Sequence, residues 1–383
     1  NPVRGLLPVA VQAGKVGRGL VLPTANGSEA ALARQPNQYG AESLLGVVAW
    51  LNGRERLFEV ELPETALART EKDLADVQGQ ARARRALEVA AAGSHNLLLS
   101  GPPGTGKTML ASRLPGILPP LCNDEALEAA AVASVSQEGL DTERWSIRNF
   151  RAPHHTASSA ALVGGGSRPR PGEISLAHQG VLFLDELPEF NRDVLEVLRE
   201  PMESGKIIIS RAACYAEFPA CFQLVAAMNP CPCGFHGDRS GRCRCTSDQV
   251  QRYRGKISGP LLDRIDLFVE VARPKQVVIP GKGKAGEASS AVRKRVIRAH
   301  RIQFERQGVA NGQLEAAGVK RHCRLNTQNE SFFEQAAEQM NLSPRACQRV
   351  LKVARTIADL DGSDRIVRNH LAEAIGFRQP QQR

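Results

Sequence analysis

The chain is predicted to be an α/β protein, with a parallel-sheet core covered on both faces, an all-helical C-terminal domain and a short N-terminal α/β stretch that lacks a beginning. Compact apolar runs at NLLLS (96–100), Val181 to Leu184 and Phe222 to Ala227 are separated by helical or loop segments, as strands buried in a parallel sheet are. The first of these leads straight into glycines, the mark of a strand feeding a loop. After the Gly- and Lys-rich stretch IPGKGKAGEASS, the segments AVRKRVIRAHRIQFERQG and SPRACQRVLKVARTIADL repeat with helical periodicity.

Three parts follow from these shifts: 1–62, 63–290 and 291–383. In the first, apolar runs (GLVLP, LLGVVAWL) alternate with Gly, Pro and Asn. The chain opens without Met and has neither the charged start nor the long apolar run of a signal peptide, so it is expected to be a piece of a longer protein. From Pro63 the composition turns charged and helical through ETALARTEKDLADVQGQARARRALEVAAAG. Internal repeats are absent from the sequence.

A chain of 383 residues has room for two or three cores. Its apolar fraction of 42% is ordinary for a soluble protein, and no apolar run approaches the roughly 20 residues of a membrane span. Nine cysteines, four of them in CPCGFHGDRSGRCRC at 231–245, suit a metal site in a reducing compartment better than a secreted disulfide framework, so the cytoplasm is the expected location. The net charge of +10 is uneven: basic and acidic residues number 6 and 5 in the first part, 27 and 26 in the second, 17 and 9 in the third. A basic excess of this kind suits a polyanion such as nucleic acid, and equally a solvated face.

GPPGTGKT at 101–108 fits the phosphate-loop pattern in the context that the pattern needs, after a strand and at the start of a helix. Gly101, Gly104 and Gly106, with Pro102, Pro103 and Thr105 between them, let backbone amides curl around phosphates where unpaired N–H groups favour anions. Lys107 reaches the β and γ phosphates, Thr108 offers a hydroxyl to Mg2+, and Met109 continues the nucleotide contact. VLFLDE at 181–186 is an apolar strand ending in two acids at the carboxyl edge of the sheet. There Asp185 is expected to hold magnesium and Glu186 to orient and deprotonate the attacking water. FQLVAAMNP places Asn229 at the end of a neighbouring strand, within reach of the γ-phosphate or the lytic water, or as a turn residue before Pro230. Ring ATPases commonly neutralise the transferred phosphoryl group with an arginine from the next subunit, and Arg264 and Arg345 are the two candidates.

The joint order of GPPGTGKT, RAPHHTASSAALVGGG, GEISLAHQGVLFLDE, VAAMNPCPCG, GPLLDRIDL and ARTIADL resembles the magnesium-chelatase-like AAA+ family, and within it the ComM (YifB) proteins of bacteria. The resemblance covers nearly the whole chain and implies an AAA+ ATPase core with a C-terminal helical lid. It also implies that Arg264 is an arginine finger acting in trans, Arg345 the sensor-2 arginine and Asn229 sensor 1, and that DLADVQGQ, with Val77 and Gln78, lies beside the adenine. The first part looks like the end of a Lon-protease-like domain, with Val9 where the catalytic lysine of that family stands; without that base a peptidase is not expected. The implied role is a hexameric ring helicase that promotes branch migration as DNA is integrated during natural transformation. Rival readings are the ATPase motor of a metal chelatase and a protein remodeller, the latter usually marked by aromatic pore residues.

Two insertions resemble the DNA-facing elements of helicases of this class. Arg168 and Arg170 lie in GGGSRPRPGE, and Lys206 and Arg211 flank IIIS as a short hairpin would. Phosphate contact there without base reading would let the ring take single-stranded and branched DNA of any sequence, unless these are ordinary exposed charges. Cys231, Cys233, Cys243 and Cys245 form two CxC pairs, enough thiolates for a closed structural zinc site; His236 replacing one cysteine, or reduced and empty thiols, are the alternatives. His154 and His155 are expected to diverge as neighbours, with no carboxylate nearby in sequence to complete a metal site.

Overall fold

The computed structural model describes residues 1–62, 72–166, 169–211, 214–238, 241–273 and 286–378. Twelve strands are used here: β1 Leu20–Pro23, β2 Gln38–Ala41, β3 Phe58–Glu59, β4 Leu97–Ser100, β5 Phe150–Arg151, β6 Gly164–Gly165, β7 Arg170–Pro171, β8 Val181–Leu184, β9 Lys206–Arg211, β10 Cys214–Pro219, β11 Gln223–Met228 and β12 Leu267–Glu270.

The central sheet is parallel throughout, in the order β12-β4-β11-β8-β5. Alternate side chains of its strands divide between two cores. Leu97, Leu99, Val181, Phe183, Val225, Ala227 and Val269 pack with the helix Ala81–Gly93 and the C-terminal helices. Leu98, Leu182, Leu184, Leu224 and Ala226 pack on the other face with Leu162, Ile174 and Phe190. The order reverses at β4, whose neighbours β11 and β12 both come late in the chain, and ligands of open α/β sheets bind at the carboxyl ends of strands at such a switch.

The C-terminal part holds the helices Ser289–Gln307, Ala316–His322, Thr327–Gln339, Pro344–Leu360 and Arg368–Gly376. Pro344–Leu360 starts where the Ser343 hydroxyl accepts from the Ala346 amide, with Pro344 in the first turn. Ala346, Val350, Val353, Ala354 and Ile357 recur at helical spacing and join the core that covers the sheet. Buried Asp359 accepts from Arg306, Arg355 and Asn311 and ties the C-terminal helices to one another, while His95, just before β4, bonds Thr356 at 2.7 Å and ties them to the sheet.

In the N-terminal part β1 and β2 are parallel and β3 is antiparallel to β2. Leu6, Leu7, Ala10, Leu22 and Leu32 form a third core with Ala126, Ala130 and Trp145 of the neighbouring segment. The helix Leu44–Leu51 is apolar along its length and leaves Leu44, Leu45 and Leu51 exposed. Val9 is exposed on the helix Leu6–Lys15.

Two expectations are corrected. The helix foreseen from Pro63 begins only at Ala81; residues 63–71 lie outside the described residues, Leu74–Asp76 is a 3-10 turn, and Gly79 and Gln80 take left-handed backbone angles that no continuous right-handed helix allows. The sheet gains two edge strands, β5 and β12. One has only two residues and the other sits inside the polar context DRIDLFVE, so neither stands out as an apolar run.

Candidate active site

β4 delivers the chain into the phosphate loop. A side chain on Gly101 would place its Cβ 2.3 Å from the Val271 carbonyl oxygen, so only glycine fits beside β12 there. Gly104 and Gly106 have φ of 75° and 86°, and the helix that follows, Lys107–Ala111, ends after five residues, shortly before Pro115. Lys107 is buried, and its Nζ donates to the carbonyls of Gly101 (2.7 Å) and Pro102 (3.0 Å) and to Asn229 Oδ1 (3.1 Å). Burial lowers the Lys107 pKa; Asp185 and Glu186 oppose that shift without cancelling it.

Thr108 donates to Asp185 Oδ2 at 2.6 Å, and Asp185 Oδ1 accepts from the Glu186 amide at 2.9 Å. Glu186 has a left-handed φ of 52° and an exposed side chain, whose Oε2 lies 3.3 Å from His155 Nδ1. The Gln80 side chain donates to the Thr105 carbonyl, and Arg113 reaches the Asp73 carbonyl and the Asp76 carboxylate. These bonds staple the segment that holds buried Val77 and half-buried Gln78 to the loop helix. Pro102 and Thr105 are buried, and Pro103 and Met109 are exposed.

Residues 73–279 match the family described as magnesium chelatase, subunit ChlI, and residues 286–378 its C-terminal counterpart. The chain belongs to the magnesium-chelatase-like AAA+ family. Among its relatives, Competence protein ComM of Haemophilus influenzae is 50% identical over 381 residues, covering 98% of this chain and 74% of that protein. YifB of Escherichia coli is 48% identical over 377 residues, with 98% and 74% covered. The magnesium-chelatase 38 kDa subunit of Cereibacter sphaeroides is 24% identical over 327 residues, covering 77% of this chain and 87% of that subunit. Membership in this AAA+ family implies ATP and Mg2+ as ligands, and the residues gathered at the loop fit that pair: a buried ammonium for phosphate, and a hydroxyl and carboxylate in contact for the cation.

The two candidate arginines lie apart from the loop. Arg264 and Arg345 line one cavity with Glu203, Asp263, Gln348, Arg349 and Lys352, and no phosphate-loop residue borders it. Arg264 is buried, donates to the Pro260 carbonyl and pairs with Glu203; its Nε is buried and finds no acceptor among the described residues. Burial lowers the Arg264 pKa against the pull of Glu203, and Arg199, Arg345 and Arg349 lower it further. Arg349 also bonds buried Asp266 at 2.6 Å.

All four sulfurs of the cysteine group lie within 4.8 Å of one another. Cys231 Sγ is 3.3 Å from Cys233 Sγ and 3.9 Å from Cys243 Sγ, and the Cys233–Cys243 separation is 3.7 Å. Zinc–sulfur bonds of about 2.3 Å at tetrahedral angles set sulfurs about 3.8 Å apart, so the group fits structural zinc with cysteine as every ligand. His236 contributes its backbone amide, which donates to Cys231 Sγ at 3.3 Å. Backbone amides of Phe235 and Arg244 lower the Cys233 pKa, whereas burial and the neighbouring Cys231 and Cys233 sulfurs raise those of Cys243 and Cys245 against the pull of backbone amides.

The hairpin expected at IIIS is present: β9 pairs with β10 from Lys206–Pro219 to Arg211–Cys214. Lys206 is not a free cation, because its Nζ lies 2.7 Å from Glu217 Oε1 across the hairpin. Arg170 is half-buried on β7, which pairs with β6; Arg168 lies outside the described residues, and of Arg211 the backbone is described.

Three features went unforeseen. The rings of His154 and His155 do not diverge; their centroids are 4.1 Å apart, and a carboxylate distant in sequence, Glu186, lies beside His155. Tyr215, an aromatic side chain on β10 of the hairpin, is 68% exposed. Gln80 joins the loop only because of a left-handed turn that GQ at 79–80 hints at through its glycine.

Proposed function

We propose that this chain forms a hexameric ring that hydrolyses ATP at its subunit interfaces and moves DNA, driving branch migation of incoming DNA during natural transformation. The observation that carries the reading is 50% identity across 98% of the chain to a competence protein, together with a phosphate loop whose Lys107 meets Asn229 and whose Thr108 meets Asp185. In this mechanism the Lys107 ammonium exchanges its two loop carbonyls for the β and γ phosphates, and Thr108 and Asp185 hold Mg2+. Glu186 takes a proton from the attacking water, with His155 setting the direction of its carboxylate, and Asn229 steadies the γ-phosphate. Arg264 and Arg345 act together on a nucleotide bound by the neighbouring subunit, which fits their shared cationic cavity and the unpaired Arg264 Nε. DNA passes the β9–β10 and β6–β7 hairpins, contacted through its backbone by Arg168, Arg170 and Arg211 and through its bases by Tyr215.

A chelatase motor is the second reading, favoured by the family match itself. The deciding experiment measures ATP turnover alone, with single-stranded DNA and with a branched junction, at low and high salt. Stimulation that fades with salt is expected; turnover indifferent to DNA transfers the assignment to the chelatase or remodelling reading.

A further inference from the structure

We infer that the four-cysteine knuckle, loaded with Zn2+, is a positioning device for the nucleotide site, so that zinc and nucleotide strengthen each other's binding. The inference rests on the reading of the phosphate loop as an ATP site. It goes beyond a zinc that merely stabilises a surface loop.

The knuckle and the nucleotide site are continuous. β11 ends at Met228, Asn229 follows with its side chain on Lys107 Nζ, and two residues later comes buried Cys231. The turn then closes through the Gly234 amide on the Cys231 carbonyl at 2.9 Å. At its tip Gly234 lies against the phosphate loop: a Cβ there would be 2.6 Å from Pro103 Cδ and 3.8 Å from Asn229 Cγ, and the φ of +84° disfavours any side chain. The Asn229–Pro230 backbone has protein anchors on the other side, in the Tyr253 hydroxyl and in Arg254 Nε, 3.2 Å from the Pro230 carbonyl. Phe235, beside the tip, is flanked by Arg242 and by Arg273, two residues beyond the Val271 carbonyl that borders Gly101.

As thiolates, four sulfurs at this spacing repel unless they share a cation, which Zn2+ would supply. The cation therefore holds the tip on Pro103 and sets the distance from Cys231 back to Asn229. A nucleotide that needs Pro103 and Asn229 in place binds the zinc-loaded form better, and thermodynamic reciprocity then requires nucleotide to raise zinc affinity by the same factor. We expect about tenfold, within the usual range for coupled sites.

The test uses the full chain. Zinc content is measured, then the equilibrium division of zinc between the chain and a chromogenic chelator is followed with and without Mg–ADP, and the Kd of a fluorescent ADP is compared at high and low free zinc. Expected are about one zinc per chain, retention about tenfold stronger with Mg–ADP, and an equal change in Kd. Gly234→Ala, which keeps all four thiolates, is expected to keep the zinc and lose the coupling. No bound zinc, or zinc and nucleotide binding with neither affecting the other, overturns the inference and leaves the ATP reading intact. A zinc-loaded chain that binds no adenine nucleotide overturns both.

Discussion

At the scale of single residues, Glu186 carries the strain of the site. A non-glycine residue held at a φ of 52° costs about 1 kcal/mol or more, and this cost falls where the strand edge hands the chain from Asp185 to a 3-10 turn. The turn lets the Asp185 carboxylate face Thr108 while the Glu186 carboxylate swings towards His155. If Glu186 is the general base, Glu186→Gln should keep ATP affinity and cut hydrolysis about 100-fold or more. Unchanged turnover in that variant would assign proton removal elsewhere. Lys107, Asp185 and Glu186 are legible in the sequence because a short spacing fixes each of them to a strand end or a loop. His155 is not legible, because its partner comes from another strand and its placement beside His154 depends on a turn rather than on a regular element.

At the scale of elements, the difference between legible and hidden parts has the same origin. β4, β8 and β11 sit in the interior of the sheet and are apolar on both faces, so each reads as a run; β5 and β12 are edges, and edges need less. The helix Ala81–Gly93 is periodic, yet its start is set by the left-handed pair Gly79–Gln80 rather than by composition. The β9–β10 hairpin was readable as a hairpin, but its chemistry was not, since only the register brings Glu217 to Lys206 and leaves Tyr215 exposed. The Glu217 carboxylate beside Lys206 offsets the charge that a phosphate would meet there. Tyr215→Ala should therefore weaken DNA-stimulated turnover more than Lys206→Ala does, by about tenfold in DNA affinity, with turnover in the absence of DNA unchanged. Titration of single-stranded DNA against both variants checks this, and a larger loss for Lys206→Ala would return the hairpin to simple phosphate contact.

At the scale of the molecule, the ATP machinery is divided. Lys107, Thr108, Asp185, Glu186 and Asn229 meet at one end of the sheet, while Arg264 and Arg345 line a cavity that contains none of them. On the proposed reading, the site is completed by a second copy that brings its arginines to the first copy's loop. A site shared between subunits allows two inactive variants to restore each other, which a self-contained enzyme does not. Lys107→Ala removes the phosphate contact and Arg264→Ala the arginine, so each variant alone should lose nearly all DNA-stimulated turnover. In a mixed ring, an Arg264→Ala subunit keeps an intact loop and a Lys107→Ala neighbour keeps an intact arginine, so one kind of interface is whole. Random mixing at equal amounts makes about a quarter of the interfaces of that kind, which sets the expected recovery at up to about a quarter of the unmodified rate. Recovery on mixing is measured after exchange of subunits, against the sum of the two variants kept apart. Its absence, in rings shown to exchange, would mean that Arg264 serves the loop of its own chain or none, and that the cavity it lines has a purpose other than the neighbour's nucleotide.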